Sequence, residues 1–262
     1  MWDTENVLQA FSEAASDRSR GASEIEARLV DRLLAVEGSW SAETQGAGAA
    51  LLADGQPVMA GLRSLAARAF ESDPHDFRRW LQRRLQTLKE LPQRLAANAW
   101  PFVESAERIL TISRSAAVAA VVEGAWERGW QGSVVVLDGT EVGRGPDQAR
   151  RLAAAGPSFS RPDAATPMFL DEAGVIIVVG ADAVGPRRFL NILGTRMLFE
   201  LADVRDIKRL VVADSSKNLL ADAVDEVAAL APTHRDADGR EWPVFELTPL
   251  HLVSVRISEE MC

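Results

Sequence analysis

Hydrophobic residues recur every three or four positions through the first hundred residues, a spacing that places them on one face of an α-helix. The segments IEARLVDRLLAV, GLRSLAARAF and RRWLQRRLQTLKEL show this spacing most clearly. Glycine, aspartate and proline interrupt it at residues 46–48, 54–55 and 73–74, where turns are expected. The pattern predicts a helical N-terminal domain over residues 1–104.

After residue 104, short apolar runs typical of strands alternate with helical segments. The predicted strands cover residues 109–113, 133–138, 175–182 and 210–214, and the predicted helices cover residues 116–129, 146–155, about 190–201 and about 221–230. Such alternation is typical of right-handed βαβ units around a parallel sheet. We therefore expect an α/β protein whose second domain, residues 105–262, is Rossmann-like.

A polar segment, Asp236-Ala237-Asp238-Gly239, interrupts the last part of the chain. It is similar to the opening of a calcium-binding loop, but Pro249 and Leu250 stand where the later positions of that loop, including its closing glutamate, would fall. The segment is therefore predicted to form a hairpin turn.

Composition limits the class of protein. The 262 residues are 47% hydrophobic, enough for two unequal domains, and the mean hydropathy is -0.05. No apolar run approaches the ~20 residues of a membrane span, and the first residues are acidic, unlike a signal peptide. We expect a cytoplasmic protein without a membrane partner. The one cysteine, Cys262, excludes a disulfide framework and a cysteine-based metal site.

The overall charge argues against nucleic acid as a partner. With a net charge of -9 and a pI near 5.0, the chain lacks the excess of basic residues with which proteins hold phosphate backbones. Four arginines cluster at positions 78, 79, 83 and 84, within an amphipathic helical segment. The helical spacing predicts that they form a solvated face, and a local basic patch is the alternative.

Polar residues follow each of the four predicted strands. They include Ser113 and Arg114 after the first strand, Asp138 after the second, Asp182 after the third and Lys217 after the fourth. The carboxyl ends of parallel strands meet at one edge of a sheet, where helix N-termini favour a phosphate or carboxylate ligand. We predict that these residues face a shared crevice. The alternative for each serine or aspartate is a role as a helix cap.

Neither a cofactor nor a metal is predicted. The segment Gly143-Arg144-Gly145 lacks the third glycine of a dinucleotide-binding motif, and no Walker loop is present. The three histidines, at positions 75, 234 and 251, do not have the spacing of metal ligands.

Several motifs together resemble a known family. They are RGA followed by SEIEARL, PVMAGLRSLA, ILTISRSAAV, GADAV, NILGT, VVADSSK and FELTPLHLVSVRISEE. In this order they are similar to the family that joins the alpha, beta and delta subunits of initiation factor 2B with ribose-1,5-bisphosphate isomerase and methylthioribose-1-phosphate isomerase. The resemblance covers nearly the whole chain. It implies a helical domain, a Rossmann-like domain that dimerises, and a sugar-phosphate or nucleotide-phosphate pocket at the strand ends.

The resemblance also implies roles for single residues. Asp182 matches the aspartate that works with a cysteine as acid and base in the isomerases. Other site positions of the family are matched by Arg20, Asn191 and Lys217. Arg20 matches an arginine near the start of the chain that binds phosphate in the isomerases. The cysteine position aligns with Ser113, and a serine hydroxyl exchanges protons near neutral pH far less readily than a thiol, whose pKa is about 8.5.

Two further positions depart from the isomerase pattern. The asparagine-lysine pair that holds substrate phosphate is here Asn191-Ile192, and an arginine-proline pair is replaced by Thr140-Glu141. One charge-assisted phosphate contact is therefore lost. Candidates to compensate are the arginines at positions 114, 187, 188 and 196.

Three functional hypotheses follow. The first is a noncatalytic relative of the initiation factor 2B subunits, a homodimer or larger homo-oligomer that binds a phosphorylated sugar or nucleotide. The second is an aldose-ketose isomerase of sugar phosphates that uses Asp182, with Ser113 or another proton donor. The third is an assembly protein whose dimer surface is its function. The replacement of the family's cysteine by Ser113 favours the first.

Overall fold

A computed structural model describes residues 4–139, 144–220 and 223–261 of the chain. Contacts divide the chain into two compact units, Met1–Leu91 and Pro92–Cys262. The division falls inside a long helix, at a proline, which lacks the N–H of a regular helical residue. The boundary expected between residues 104 and 105 lies at the end of the same helix and remains a prediction. None of the described helices is long and apolar enough to cross a membrane.

Amphipathic helices form the first unit. They are α1 (Thr4–Ser16), α2 (Ala22–Ala35), α3 (Ala42–Gly55), α4 (Ala60–Glu71) and the first part of α5 (Pro74–Val103). Their apolar faces bury Phe11, Leu29, Leu65 and Phe77, as the spacing of three and four predicts. A Cβ added to Gly48 of α3 would lie 2.2 Å from Phe11 Cδ2, so this glycine lets α1 and α3 pack closely.

Two of the four clustered arginines bind other parts of this unit through their side chains. Arg84 forms a bidentate ion pair with Glu26, with nitrogen–oxygen distances of 2.6 Å and 2.9 Å, and both side chains are nearly buried. Arg78 donates hydrogen bonds to the carbonyl oxygens of Leu34 and Val36 at the end of α2, at 3.0 Å and 2.9 Å. The prediction of a solvated face is wrong for these two arginines and right for the other two, which are exposed.

Strands and helices alternate in the second unit. Within the described residues its strands are β1 (Arg108–Ile112), β2 (Ser133–Leu137), β3 (Ser158–Arg161), β4 (Val175–Gly180), β5 (Ala183–Val184), β6 (Arg188–Ile192), β7 (Arg209–Val212), β8 (Thr233–Arg235), β9 (Glu241–Pro243), β10 (Phe245–Pro249) and β11 (Val255–Ile257). Its helices are α6 (Ala116–Glu127), α7 (Gly145–Leu152), α8 (Thr166–Leu170), α9 (Thr195–Asp203) and α10 (Ala223–Ala229), besides the end of α5.

A parallel sheet is the centre of this unit. Its strand order is β11-β7-β4-β1-β2-β3, and every neighbouring pair runs in parallel. All six residues of β4 are buried, which explains the unbroken apolar run VIIVVG. A helical region followed by a parallel sheet with flanking helices confirms the predicted α/β fold.

A smaller antiparallel sheet corrects one prediction. The chain expected to be helical at about residues 190–201 is a strand as far as Ile192, and α9 begins only at Thr195. This strand, β6, pairs with β10 on one side and β5 on the other. The apolar run FLNIL suits a strand or a buried helix, and a distant partner strand decides between them. Gly194, with a left-handed φ of +99°, separates strand from helix.

The predicted hairpin turn is confirmed. β8 and β9 pair in antiparallel orientation on either side of it. The N–H of Asp236 donates to the carbonyl oxygen of Arg240, and the N–H of Gly239 donates to that of Asp236, both at 3.0 Å. Gly239 has a φ of +80°, which suits glycine in a tight turn.

Candidate functional site

Four neighbouring strand ends carry the residues predicted for the site. In the sheet, β7, β4, β1 and β2 lie side by side in that order and run in parallel. Lys217 follows β7, Asp182 follows β4, Ser113 follows β1 and Asp138 follows β2. All four therefore stand on the edge at which open parallel sheets bind ligands.

Asp182 and Lys217 form the charged centre of this edge. Lys217 is buried, and its ammonium donates a hydrogen bond to the carbonyl oxygen of Ala181 at 2.7 Å. Asp182 keeps some accessible surface, yet protein surrounds its carboxyl group. Burial raises the pKa of Asp182 above its ordinary value, and the attraction of Lys217 opposes this rise without cancelling it. The carboxyl group therefore holds its proton to a higher pH than usual.

The loop that carries Lys217 is held from two sides. Asp214, also buried, accepts hydrogen bonds from the N–H and the hydroxyl of Ser216. The carboxylate of Glu259 accepts from the N–H of Ser215, at 2.9 Å and 3.1 Å to its two oxygens, and from the Ser215 hydroxyl. Sequence reasoning missed the role of Glu259, whose only signal was its place in the motif ending VRISEE.

Ser113 has an unusual backbone conformation. Its φ of +59° lies in the left-handed region, which costs a side chain of this kind roughly 1–2 kcal/mol. Its N–H donates to the carbonyl oxygen of Leu137 at 2.9 Å, and its Oγ accepts from the N–H of Arg144 at 3.3 Å. Strained conformations of this kind cluster at functional sites, which fits the place of Ser113 at a strand end.

Ser115 brings the start of α6 to the edge between β1 and β4. Its Oγ accepts a hydrogen bond from the N–H of Val118 at 3.3 Å and so caps α6. A Cβ added to Gly180 would lie 2.4 Å from this Oγ, so the glycine lets the end of β4 approach the cap. The buried Gln148 donates from Nε2 to the Ser115 carbonyl oxygen at 2.9 Å. The partly positive N-terminus of α6 therefore belongs to the same edge.

Asp138 and Asn191 are tied to neighbouring turns and strands. Asp138 accepts a hydrogen bond at 2.6 Å from the Oγ of Ser160, which lies on β3, the neighbour of β2 on the side away from β1. The nearly buried amide of Asn191 donates to Thr195 Oγ1 at 3.0 Å, within the turn that leads to α9. Of the predicted site residues, Asp182 and Lys217 are brought together, whereas these two are engaged elsewhere.

Glu246 binds the N-terminus of α9, a contact that the sequence did not predict. Its carboxylate accepts hydrogen bonds from the N–H groups of Gly194, at 2.7 Å, and Arg196, at 2.9 Å, at the N-terminus of α9. Burial raises the pKa of Glu246, and the two N–H groups oppose that rise. An anionic ligand can bind at such a helix end, but here the chain supplies its own carboxylate. The motif FELTP contains Glu246, and only the pairing of β10 with β6 shows where it lies.

Two of the arginines considered as compensating charges are paired with carboxylates at the surface. Arg188 Nε lies 3.2 Å from Asp225 Oδ1, and Arg196 Nε lies 2.7 Å from Glu200 Oε1. Arg114 is half-buried at the end of β1. Of these three, Arg114 is the arginine that stands at a strand end of the parallel sheet.

The remaining predicted positions belong to the helical unit or lie outside the described residues. Arg20 belongs to the helical unit, where its Nη1 lies 2.6 Å from Asp17 Oδ2. Thr140 and Glu141, which replace the family's arginine-proline pair, lie outside the described residues. Across residues 4–139, 144–220 and 223–261, no three histidine, cysteine, aspartate or glutamate side chains form a group that could hold a metal ion.

Comparisons with solved structures agree with this architecture. The protein is similar to the translation initiation factor eIF-2B from Pyrococcus horikoshii OT3, with a TM-score of 0.84 and 23% identity over 97% of this chain and 95% of that one. It is similar to eIF2B delta from Chaetomium thermophilum, with a TM-score of 0.73 and 16% identity over 98% of each chain. It is also similar to 5-methylthioribose 1-phosphate isomerase from Pyrococcus horikoshii OT3, with a TM-score of 0.68 and 18% identity over 97% and 83%.

The family follows from the sequence comparison. At identities below 25%, the solved structures show the fold alone. Comparison with curated proteins gave no match. The model of the Initiation factor 2 subunit family matches residues 49–260, which include every strand-end motif from ILTISRSAAV to FELTP. The resemblance seen in the motifs is confirmed, and the chain belongs to the Initiation factor 2 subunit family.

Proposed function

We propose that this protein binds a phosphorylated sugar or nucleotide at the carboxyl edge of its parallel sheet and does not catalyse isomerisation. The observation that supports this most is the placement of Asp182 beside Lys217 at neighbouring strand ends. An ammonium group and a helix N-terminus suit a phosphate, and a carboxyl group suits ligand hydroxyls. The edge offers all three, through Lys217, α6 and Asp182.

The surroundings of Ser113 support binding without catalysis. Aldose-ketose isomerisation needs groups that pass a proton, and a serine hydroxyl does so only when a neighbouring base activates it. The Oγ of Ser113 instead accepts a hydrogen bond from the N–H of Arg144, a donor that cannot take its proton.

A thermal-unfolding panel of sugar phosphates and nucleotides tests the proposal. A ligand present at 100 times its Kd stabilises the folded state by about 2.7 kcal/mol. We expect at least one compound to raise the Tm of the wild type, and Lys217→Met to lose that response. Lys208→Met is the matched control, because Lys208 is exposed. A panel without any stabilising compound, or an equal response from the Lys217→Met variant, would refute the proposal.

A second candidate function is an isomerase that uses Asp182. The observation that favours it is the raised pKa of Asp182, because an acid or base works best when its pKa lies near the operating pH. Incubation with ribose 1,5-bisphosphate, followed by phosphorus NMR, decides between the two. Conversion by the wild type that Asp182→Asn abolishes would show that the noncatalytic proposal is wrong. Activity only in a Ser113→Cys variant would show that the chemistry was lost with the cysteine.

We also propose that the protein is a homodimer, as the resemblance implies. Three exposed apolar side chains on α8, on α9 and directly after α9 support this, because the two helices pack together: Met168, Met197 and Val204 are exposed by 71%, 42% and 84%. Their burial against a second copy would remove apolar surface from water. Light scattering should give twice the chain mass for the wild type and a lower mass for Val204→Asp. A monomeric wild type would exclude the dimer.

A further inference from the structure

Lys217 stands on a short turn that follows β7. This turn, Ser215–Lys217, is a single turn of 3-10 helix. A backbone hydrogen bond from the N–H of Lys217 to the carbonyl oxygen of Asp214, at 3.1 Å, closes it. Short 3-10 segments have poorer hydrogen-bond geometry than an α-helix. The position of Lys217 therefore depends on contacts between this turn and other parts of the chain.

Glu259 supplies such a contact from a distant segment. It follows β11, whose last residue, Ile257, lies opposite Val212 at the end of β7. The two carboxylate oxygens of Glu259 accept hydrogen bonds from the N–H of Ser215, at 2.9 Å and 3.1 Å, and one of them also accepts from the Ser215 hydroxyl. The first N–H groups of a helical turn have no acceptor within the turn itself. Glu259 therefore fixes the start of the turn to the strand pair β7 and β11.

The ammonium group of Lys217 reaches the main chain beside Asp182. Its Nζ donates a hydrogen bond at 2.7 Å to the carbonyl oxygen of Ala181, the residue before Asp182. The attraction between charges falls with distance, so the opposition of Lys217 to the raised pKa of Asp182 depends on this placement. A shift of the turn would move the ammonium group away from Asp182. All these residues belong to the second unit, Pro92–Cys262.

We propose that Glu259 is a positioning residue of the strand-end site, which holds Lys217 beside Asp182 by fixing the turn at Ser215. The consequence for ligand affinity rests on the function proposed for the strand ends. Among the described residues, Ser215 donates every hydrogen bond that the Glu259 carboxylate accepts, so the effect on Lys217 passes through the turn. Direct repulsion between Glu259 and a phosphoryl group would weaken binding, whereas placement of Lys217 strengthens it. The two effects have opposite signs, so variants separate them.

A carbon-13 NMR titration of the Asp182 carboxyl group tests the placement of Lys217 without any ligand, and Asp182→Asn assigns the signal. In Glu259→Ala we expect the pKa of Asp182 to rise, because Lys217 no longer opposes the effect of burial. Loss of the Glu259 charge alone would lower that pKa. Glu259→Gln keeps an oxygen that can accept from Ser215 and should prevent the rise. The control Glu260→Ala removes the same charge from the next residue, which is exposed, and should not raise the pKa.

Isothermal titration with inorganic phosphate at low ionic strength tests the consequence for binding. Glu259→Ala should weaken the affinity about tenfold, the effect of losing one charge-assisted contact, and Glu260→Ala should change it less than twofold. In a Lys217→Met background, Glu259→Ala should weaken the affinity no further, because Glu259 acts through Lys217.

An unchanged or lowered pKa of Asp182 in Glu259→Ala would overturn the inference, and so would an equal rise in Glu260→Ala. If that pKa rises as expected, but neither phosphate nor any compound of the thermal-unfolding panel binds the wild type, the function proposed for the strand ends fails and the placement of Lys217 by Glu259 stands. Thermal unfolding checks that each variant is folded. If Glu259→Ala is unfolded, Glu259→Asp tests the same contact, since it keeps the charge on a shorter side chain, and an unchanged pKa of Asp182 there would also overturn the inference.

Discussion

The helical unit and the sheet unit both bury charged side chains, but in different surroundings. In the helical unit, Glu26 of α2 has hydrogen bonds from Arg84 of α5 to both carboxylate oxygens, so the pair links two helices and satisfies the carboxylate. In the sheet unit, the interior of β4 is apolar throughout, and Asp214 and Lys217 are buried just after the carboxyl end of β7. There, the attraction of Lys217 does not cancel the desolvation of Asp182.

This difference shows that burial of a charge does not by itself mark a binding site. A buried carboxylate that accepts hydrogen bonds from one guanidinium at both oxygens, as Glu26 does, has a structural role. A carboxyl group that is only partly compensated, at the edge where ligands bind, has interactions left to make with a ligand. Four variants test this contrast, from the largest expected effect to the smallest.

Removal of the structural carboxylate should have the largest effect. Glu26→Ala removes the carboxylate that pairs with the nearly buried Arg84, so we expect the free energy of unfolding to fall by about 3–5 kcal/mol. Denaturant unfolding followed by circular dichroism measures the loss. The double variant Glu26→Leu/Arg84→Met should recover most of it, because an apolar pair removes both charges together. A loss below about 1 kcal/mol in Glu26→Ala would show that the pair is not structural.

Removal of the cation at the strand ends should have a smaller effect that depends on pH. In Lys217→Met, Asp182 loses the attraction that opposes its raised pKa, so that pKa rises further. The stability that comes from a protonated Asp182 is fully present below its ordinary pKa of 3.8 and is lost as the pH rises through the raised pKa of the folded state.

The stability difference between wild type and Lys217→Met should therefore grow from pH 4 to pH 7. Denaturant unfolding at several pH values measures it, and Lys208→Met should show no such trend. A difference that is constant with pH would mean that Lys217 does not interact with Asp182.

Glu246 should contribute as a helix cap. Glu246→Ala leaves the N–H groups of Gly194 and Arg196 without their acceptor, which should cost about 1 kcal/mol. Glu246→Gln keeps an oxygen acceptor and should cost less. Thermal unfolding of both variants gives the comparison, and equal losses would show that the charge, rather than the acceptor, stabilises α9.

Relief of backbone strain should have the smallest effect. Ser113→Gly removes the left-handed penalty but also the hydroxyl that accepts from Arg144, so we expect a gain of at most about 1 kcal/mol. Asp206→Gly is the matched control, because Asp206 also has a positive φ, of +52°, but lies outside the strand ends. A gain in the Tm of both variants, with ligand response lost only in Ser113→Gly, would show that Ser113 serves binding at a cost in stability.

Much of this architecture could be predicted from the sequence. The run VIIVVG predicted a buried strand because a strand covered on both faces is apolar throughout. Parallel strands have their carboxyl ends at one edge of the sheet, so the polar residues that follow the strands were expected to share that edge. The place of Asp182 and Lys217 on one edge was predicted in this way from their positions after the strands, and their part in binding stays a prediction.

Other features depend on contacts between distant parts of the chain. The segment that forms β6 was predicted to be helical because its local pattern suits a strand or a buried helix. Its pairing with the distant strand β10 decides in favour of a strand. Helical spacing placed Arg78 and Arg84 on one segment but could not show that the end of α2 and Glu26 would engage them. Glu246 reaches the N-terminus of α9 because β10 pairs with β6 in a particular register, and Glu259 binds the turn that follows β7. Neither contact can be recognised from a local sequence motif.

The bond between Glu259 and Ser215 has a consequence for biosynthesis. The turn that presents Lys217 is anchored by a residue that the ribosome adds much later, and β11, made just before Glu259, borders β7 in the sheet. A nascent chain that stops short of residue 259 lacks that anchor, so the strand-end site is completed only after translation has passed this point.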